Sequence, residues 1–295
     1  PDKFILSYCD RALGITSAEE QPVLPKGNNL SLHLLELFTS RVAKVGMTDG
    51  IRQVLQEESD ALRAYYEQAG ILIARPAGGT SCRLAISAKG GTNAENHNHN
   101  DVGSYAVALG SETMVGDQGG PNSYPGDYFN GDAPQKYKIK GSFGHPVPVV
   151  DGRTQSSGGK AKGVVLQKEF TNEKDVFSIN YTSAYSTPNL DKLIRTFVYD
   201  RQGKGSFTVG DEFTAKTPIR FETAITTRAD WKILDDTHLL LATDSEQMIV
   251  AIEASGKVAF TSETIEVNSP AYTRIGIALK NQSKEGYIRL KMYTK

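Results

Sequence analysis

Apolar residues recur at two different periods along this chain, and the change of period divides it. In NNLSLHLLELFTSRVAKVG, Leu30, Leu34, Leu37, Phe38 and Val42 keep the three–four spacing of one helix face. Asn29 or Ser31 supplies a cap and Gly46 a stop. The following TDGIRQVLQEESDALRAYYEQAG sets Ile51, Val54, Leu55, Leu62 and Tyr65 on roughly one side and ends at Gly70. This pattern predicts helices over residues 1–68. Two or three helices this short make a poor core of their own. They read as the end of a larger helical domain, or as a collar packed on the rest of the chain.

From residue 69 onward the period falls to two. GILIARP, SCRLAISAKG and SYAVALGSETMVGDQGG, the last folded about a Gly110-Ser111 turn, read as short strands bounded by glycine and proline. FSINYTSAY, KLIRTFVYD, GSFTVGDEFTA, IRFETAITT, HLLLATD, QMIVAIEA, YTRIGIALK and GYIRLKMYTK continue the series. No crossover helices intervene, which excludes a parallel α/β fold and leaves antiparallel sheets packed as a sandwich. The fold class expected is therefore mainly β: a large antiparallel β-sandwich over residues 69–295, preceded by a short helical segment. Between the strands, residues 119–163 are rich in glycine, proline and tyrosine and poor in strand pattern. A loop that long in a compact domain tends to carry function.

Composition narrows the function classes. The 295 residues are 39% hydrophobic and 23% charged with a formal net charge of −1. No strong field draws the chain to nucleic acid or to an anionic membrane, and neither is expected as a partner. The longest apolar stretches are too short to span a bilayer as a helix. Two cysteines, Cys9 and Cys82, allow one disulfide, but two separate thiols are the simpler expectation. No secretory signal precedes PDKFILSYCD, and a start at Pro1 suggests a processed terminus or a cut inside a longer protein.

The chemistry concentrates in NAENHNHNDVGSY, residues 93–105, which holds two of the five histidines. On an extended chain His97 and His99 point to one face, a geometry that suits a metal, or one ligand beside one catalytic imidazole. Asp101, Asp117 and His145 are the further candidate ligands, since two histidines and a carboxylate make a common zinc set. Folding about Gly110-Ser111 sets Asp117 near Ser104, about 16 Å along the strand from His99. The chain must therefore bend at Asn100–Gly103, where HNDVG tolerates a bend. A hydrogen-bonded loop without metal is the plain alternative. A cupin-type site lacks its histidine–glutamate spacing after His99, and His33 and His238 read as structural.

The stretch NHNHNDVGSYAVALGSETMVGDQG resembles the C-terminal β-sandwich of the heparinase II/III-like polysaccharide lyases. There an H-x-H-x-D-x-(G/L)-S-(F/Y) stretch leads through a strand and a turn to an aspartate in a D-x-G setting. The matching positions are His97, His99, Asp101, Ser104, Tyr105, Asp117 and Gly119. NYTSAYS, DKLIRTFVYDR and FTVGDEF are similar to later strands of that sandwich, so the resemblance covers roughly residues 70–295.

The resemblance implies an (α/α) toroid ahead of the sandwich, with residues 1–68 as its end and linker. It implies cleavage of uronic-acid glycans by β-elimination, which needs a neutralised carboxylate, a base for the C5 proton and an acid for O4. By resemblance His97 faces the substrate, as base or in charge neutralisation. His99, Asp117 and His145 match the ligands of a structural zinc, calcium being the less favoured ion. Tyr124 and Tyr128 lie where some members place a catalytic tyrosine, and the choice between them stays open. The partner implied is an acidic polysaccharide and the location the bacterial periplasm or the outside of the cell. The resemblance also implies that most of a toroid is missing from this sequence. Little activity is then expected of the chain alone. The alternatives are a non-catalytic carbohydrate-binding sandwich, with the tyrosines of residues 124–137 and the basic QKYKIKGS as its surface, and a structural sandwich whose metal only ties down a loop.

Overall fold

Burial alternates along most strands as the period-two pattern requires. Leu84–Lys89 (β3) and Tyr105–Leu109 (β5) bury every second residue, and so does most of Ser206–Ile219 (β12). The computed structural model describes residues 62–117, 120–121, 123–266 and 271–295. The helices expected before residue 62, with Cys9 and His33, lie outside the described residues.

All the paired strands run antiparallel. One sheet has five strands in the order β1 (Arg63–Tyr66), β2 (Ile71–Ala74), β3, β5 and β6 (Glu112–Val115). A second has eight: β14 (Asp230–Asp235), β15 (His238–Ala242), β16 (Gln247–Ala254), β19 (Ser283–Thr294), β12, β11 (Leu190–Asp200), β10 (Lys174–Asn180) and β9 (Val164–Phe170). A third has four: β17 (Val258–Ile265), β18 (Tyr272–Leu279), β13 (Phe221–Thr227) and β7 (Val149–Val150). One continuous core takes side chains from all three, including Ile86, Val107, Phe197, Phe207, Ile277 and Leu290, so the fold is a β-sandwich. Phenylalanines of the large sheet stack on one another, Phe177 on its register partner Phe197 at 5.9 Å and Phe197 on its diagonal neighbour Phe207 at 6.1 Å. Threonines stitch the two smaller sheets together: Thr226 donates to the Gly116 carbonyl and Thr227 to that of Met114.

Three expectations are corrected. Residues 63–66 continue no helix; they form β1, with Tyr65 packed on Phe170 and Phe177 and Arg63 paired with Asp175. RAYY fits either period, and the sheet beside it decides. Gly70, with φ +63°, closes the β1–β2 turn instead of ending a helix. The described residues between 120 and 163 are not one loop: they hold a short helix α1 (Ala133–Lys136), a 3₁₀ turn (Ser142–Gly144), β7 and β8 (Gly158–Lys162), which pairs with β4 (Thr92–Asn93). This segment has a small core of its own, Tyr128, Ile139, Ile265 and Tyr272, that fastens it to β17 and β18. Cys82 is a buried free thiol beside the Tyr199 hydroxyl.

Candidate functional site

The histidine segment leaves β4 and must turn back sharply to enter β5. Asp101 to Ser104 forms that turn, with the Ser104 amide donating to the Asp101 carbonyl at 2.9 Å. Gly103 sits there at φ +89°, and a β-carbon on it would meet the Tyr181 ring at 3.3 Å. The bend expected at Asn100–Gly103 is thus present. The hairpin about Gly110-Ser111 is present too, with a one-residue shift between Val107 and Ala108, and Ser104 Oγ donates to Asp117 Oδ2 at 2.6 Å.

The extended geometry expected for His97 and His99 is not found. His97 has φ +57°, and the Asn98 amide donates back to the Glu95 carbonyl, so the segment coils and the two imidazoles part. His97 is exposed and lies against Phe129, ring centroids 4.7 Å apart. His99 turns inward to His145, at 5.1 Å, and to Tyr128, whose hydroxyl is 3.0 Å from Nε2. Burial foremost, then the neighbouring His145, brings the His99 pKa down to about 4, so it is a neutral imidazole near pH 7.

His145 follows the 3₁₀ turn, where a β-carbon at Gly144 would run into the Lys138 carbonyl oxygen. Its Nε2 donates to the Ile139 carbonyl at 2.9 Å, and a carbonyl can only accept. Nδ1 is therefore the nitrogen turned on Asp117, 2.9 Å from Oδ2. That pairing calls for positive charge at Nδ1, a proton or a bound cation. Burial opposes the charged form, but the Asp117 carboxylate outweighs it and the His145 pKa is raised. Among the described residues Asp101, Asp117 and His145 bring one ligand atom each within 4.8 Å of one another, with His99 beside this group. Lys89 pairs with Asp101 at 2.5 Å, yet burial still raises the carboxyl's pKa. A neutral histidine, a second histidine locked with Nδ1 inward and carboxylates at hand are a donor set that fits a divalent ion.

The two tyrosines separate by depth. Tyr128 is 1% exposed, and burial raises its hydroxyl to about 12. Tyr124 is 56% exposed, 5.0 Å from the Tyr128 ring. His238, at the start of β15, pairs with Asp235 at 3.0 Å.

Sequence reasoning missed two participants, Gln155 and Phe129, and met a third, Lys140, only as part of the basic QKYKIKGS stretch. Gln155 accepts the Val102 amide and an Asn93 N–H, and donates to the Val102 carbonyl at 2.7 Å, pinning the turn from inside. Its signal is faint, since the partners are 53 and 62 residues away. Replacing Gln155 by alanine leaves those buried groups unpaired, and a loss of about 1–3 kcal/mol is expected. A lower urea midpoint at unchanged slope would show it; an unchanged midpoint would mean that water replaces the amide. The Lys140 ammonium lies 4.8 and 4.7 Å from the Tyr128 and Phe129 ring centres, and burial lowers its pKa.

No helix among the described residues is long and apolar enough to cross a membrane. No family model and no curated relative matches the chain. Solved structures do match. A heparinase III crystal structure aligns at TM-score 0.62 and 17% identity over 79% of this chain and 36% of that one. The heparan sulfate lyase HepC from Pedobacter heparinus aligns at TM-score 0.67 and 14% identity over 89% of this chain and 42% of that one. The chain thus spans about two-fifths of those proteins. At such identities the likeness is one of fold: this is a β-sandwich of the kind found in heparinase III.

Proposed function

We propose that this chain is the sandwich part of a polysaccharide lyase that cleaves an acidic, uronate-containing glycan by β-elimination. The substrate class we favour is heparan sulfate. The observation carrying this reading is an exposed His97 on a strained turn, two residues from a half-buried His99–His145–Asp117 cluster, on a heparinase III-like sandwich.

Elimination requires a proton to leave C5, next to the uronate carboxylate. Near neutral pH an exposed imidazole is a suitable base for it. The electron pair left at C5 forms the C4=C5 double bond as the C4–O4 bond breaks, and O4 takes up a proton. We assign the first transfer to His97 and the second to Tyr124, whose ring is open to solvent. Tyr128, buried with its hydroxyl on His99, holds that imidazole in place. In this reading His99, Asp117 and His145 would hold a zinc ion, with Asp101 adjacent, and the ion would supply fixed positive charge behind the His97 turn. The toroid side of the cleft and a periplasmic or extracellular location belong to the same proposal.

The test is His97→Ala in the full-length protein, followed by the ultraviolet absorbance of the unsaturated uronate on heparan sulfate. Loss of a general base lowers turnover by roughly 10²–10⁴-fold, with metal content retained. Unchanged cleavage sinks the assignment. Binding of the glycan with no cleavage by the unaltered protein would favour the carbohydrate-binding sandwich instead, for which the exposed aromatic rings of residues 124–129 speak.

A further inference from the structure

Phe129 is 48% exposed, yet its ring is held on several sides. His97 lies 4.7 Å away, Tyr124 5.1 Å, and Tyr128 meets it edge-on at 5.4 Å and 82°. The Lys140 ammonium, 4.7 Å from the ring centre, donates to the Tyr128 carbonyl. The backbone below is a run of turns: Tyr128 N–H to Pro125 O, Asn130 N–H to Asp127 O and Ala133 N–H to Asn130 O. Asp127 is tied in turn to Tyr137 and Lys136. This is a surface of three exposed rings, His97, Phe129 and Tyr124, set on hydrogen-bonded turns over a buried tyrosine.

A phenyl ring has no proton to give or take, so Phe129 has no part in acid–base work. Aromatic rings gathered on one exposed surface mark a binding patch, as a single exposed ring does not. The flat C–H face of a pyranose fits an aromatic platform, and a preorganised platform loses little entropy on binding. The positive charge of Lys140 beside the rings suits an anionic sugar and disfavours a cationic partner.

We infer that Phe129, flanked by His97 and Tyr124 and backed by Lys140, is a sugar-stacking subsite that seats one pyranose ring of an acidic glycan against the His97 turn. The inference deepens the lyase reading and rests on it for the choice of glycan. Phe129 orients the ring so that its reacting edge reaches His97.

The test is calorimetric titration of this chain with a heparan sulfate hexasaccharide. Phe129→Ala is expected to weaken binding by roughly 3- to 10-fold, the scale of one aromatic contact. Phe129→Trp restores it, and near-ultraviolet circular dichroism confirms that both variants keep their fold. At about 1 M salt, where charges beyond a few ångströms are screened, the ratio between Phe129→Ala and the parent persists. Binding equal in all three proteins overturns the subsite; if His97→Ala still abolishes cleavage, the lyase assignment survives it. Weaker binding by Phe129→Ala, with His97→Ala cleaving normally, keeps the subsite and removes the lyase role. No binding by the unaltered chain overturns the subsite outright. So does a parent dimer that Phe129→Ala turns monomeric at unchanged sugar affinity, which would make the rings a contact between copies.

Discussion

Replacing Arg195 by methionine is expected to lower stability by about 3–5 kcal/mol, the loss typical when one partner of a buried ion pair is removed. Arg195 is fully buried on β11. It grips Asp211 on β12 with two nitrogens, at 2.7 and 2.6 Å, and donates to Thr223 at 3.1 Å. Its remaining nitrogen donates to two carbonyls at 2.7 Å each, Gly103 and Pro146. One guanidinium therefore clamps the turn after Asp101 to the segment after His145. With Arg195 gone, Tyr181 and Thr223 still donate to Asp211, which places the loss toward the lower end. For a domain of this size the melting temperature falls by roughly 6–20 °C. The double variant Arg195→Met with Asp211→Leu tests the reasoning. Removing both charges is expected to recover much of the stability, but not the grip on the two loops. Its melting point then returns toward the parent's while its metal binding and cleavage do not. Full recovery of all three would mean that the loops hold themselves.

The strands that the sequence announces are those with one dry face. β3, β5, β11 and β12 alternate cleanly because the core imposes that alternation. β9, VVLQKEF, escapes because nearly all of it is exposed; it is an edge strand, held by backbone pairing to β10 alone. β14, at the opposite edge, is missed for the same reason. β17 also lies at a sheet edge and lacks strict alternation. In the candidate site, the hairpin that brings Asp117 to Ser104 and the bend at Asn100–Gly103 are legible from turn residues and strand period, while the one-residue shift between Val107 and Ala108 is not. The parting of His97 from His99 is not, since it depends on a single left-handed residue that is not glycine. Gln155 stays hidden because its partners are distant in sequence, and Phe129 because its meeting with His97 depends on the coiling of a segment 32 residues before it. No local pattern marks a glutamine that closes a turn 53 residues behind it.

Purified protein is expected to carry about one equivalent of zinc, and chelation is expected to lower its melting temperature. The Asp117–His145 pair is the reason. With Nε2 bonded to the Ile139 carbonyl, Nδ1 faces a carboxylate, and Asp101 adds a second carboxyl against which Lys89 is the nearest ion-pair partner. A divalent ion answers this excess of acceptors better than a proton, because several donors can share it at once. The ion binds the folded chain and not the unfolded one, so saturation at 100 times the dissociation constant adds about 2.7 kcal/mol. Removing a ligand forfeits most of that. Asp117→Ala also releases Ser104 and His145, and is expected to be the most damaging single change among the ligands. His99→Ala keeps those contacts and discriminates more sharply: zinc lost with the fold intact supports the three-residue site. Zinc retained in His99→Ala but lost in Asp117→Ala moves the site onto Asp101, Asp117 and His145, the group already gathered within 4.8 Å. No metal in the well-folded parent removes the ion altogether. His145 is then held by Asp117 and the Ile139 carbonyl, and the turn bearing His97 rests on its hydrogen bonds to Gln155, Arg195, Asn93, Lys89 and Asp117.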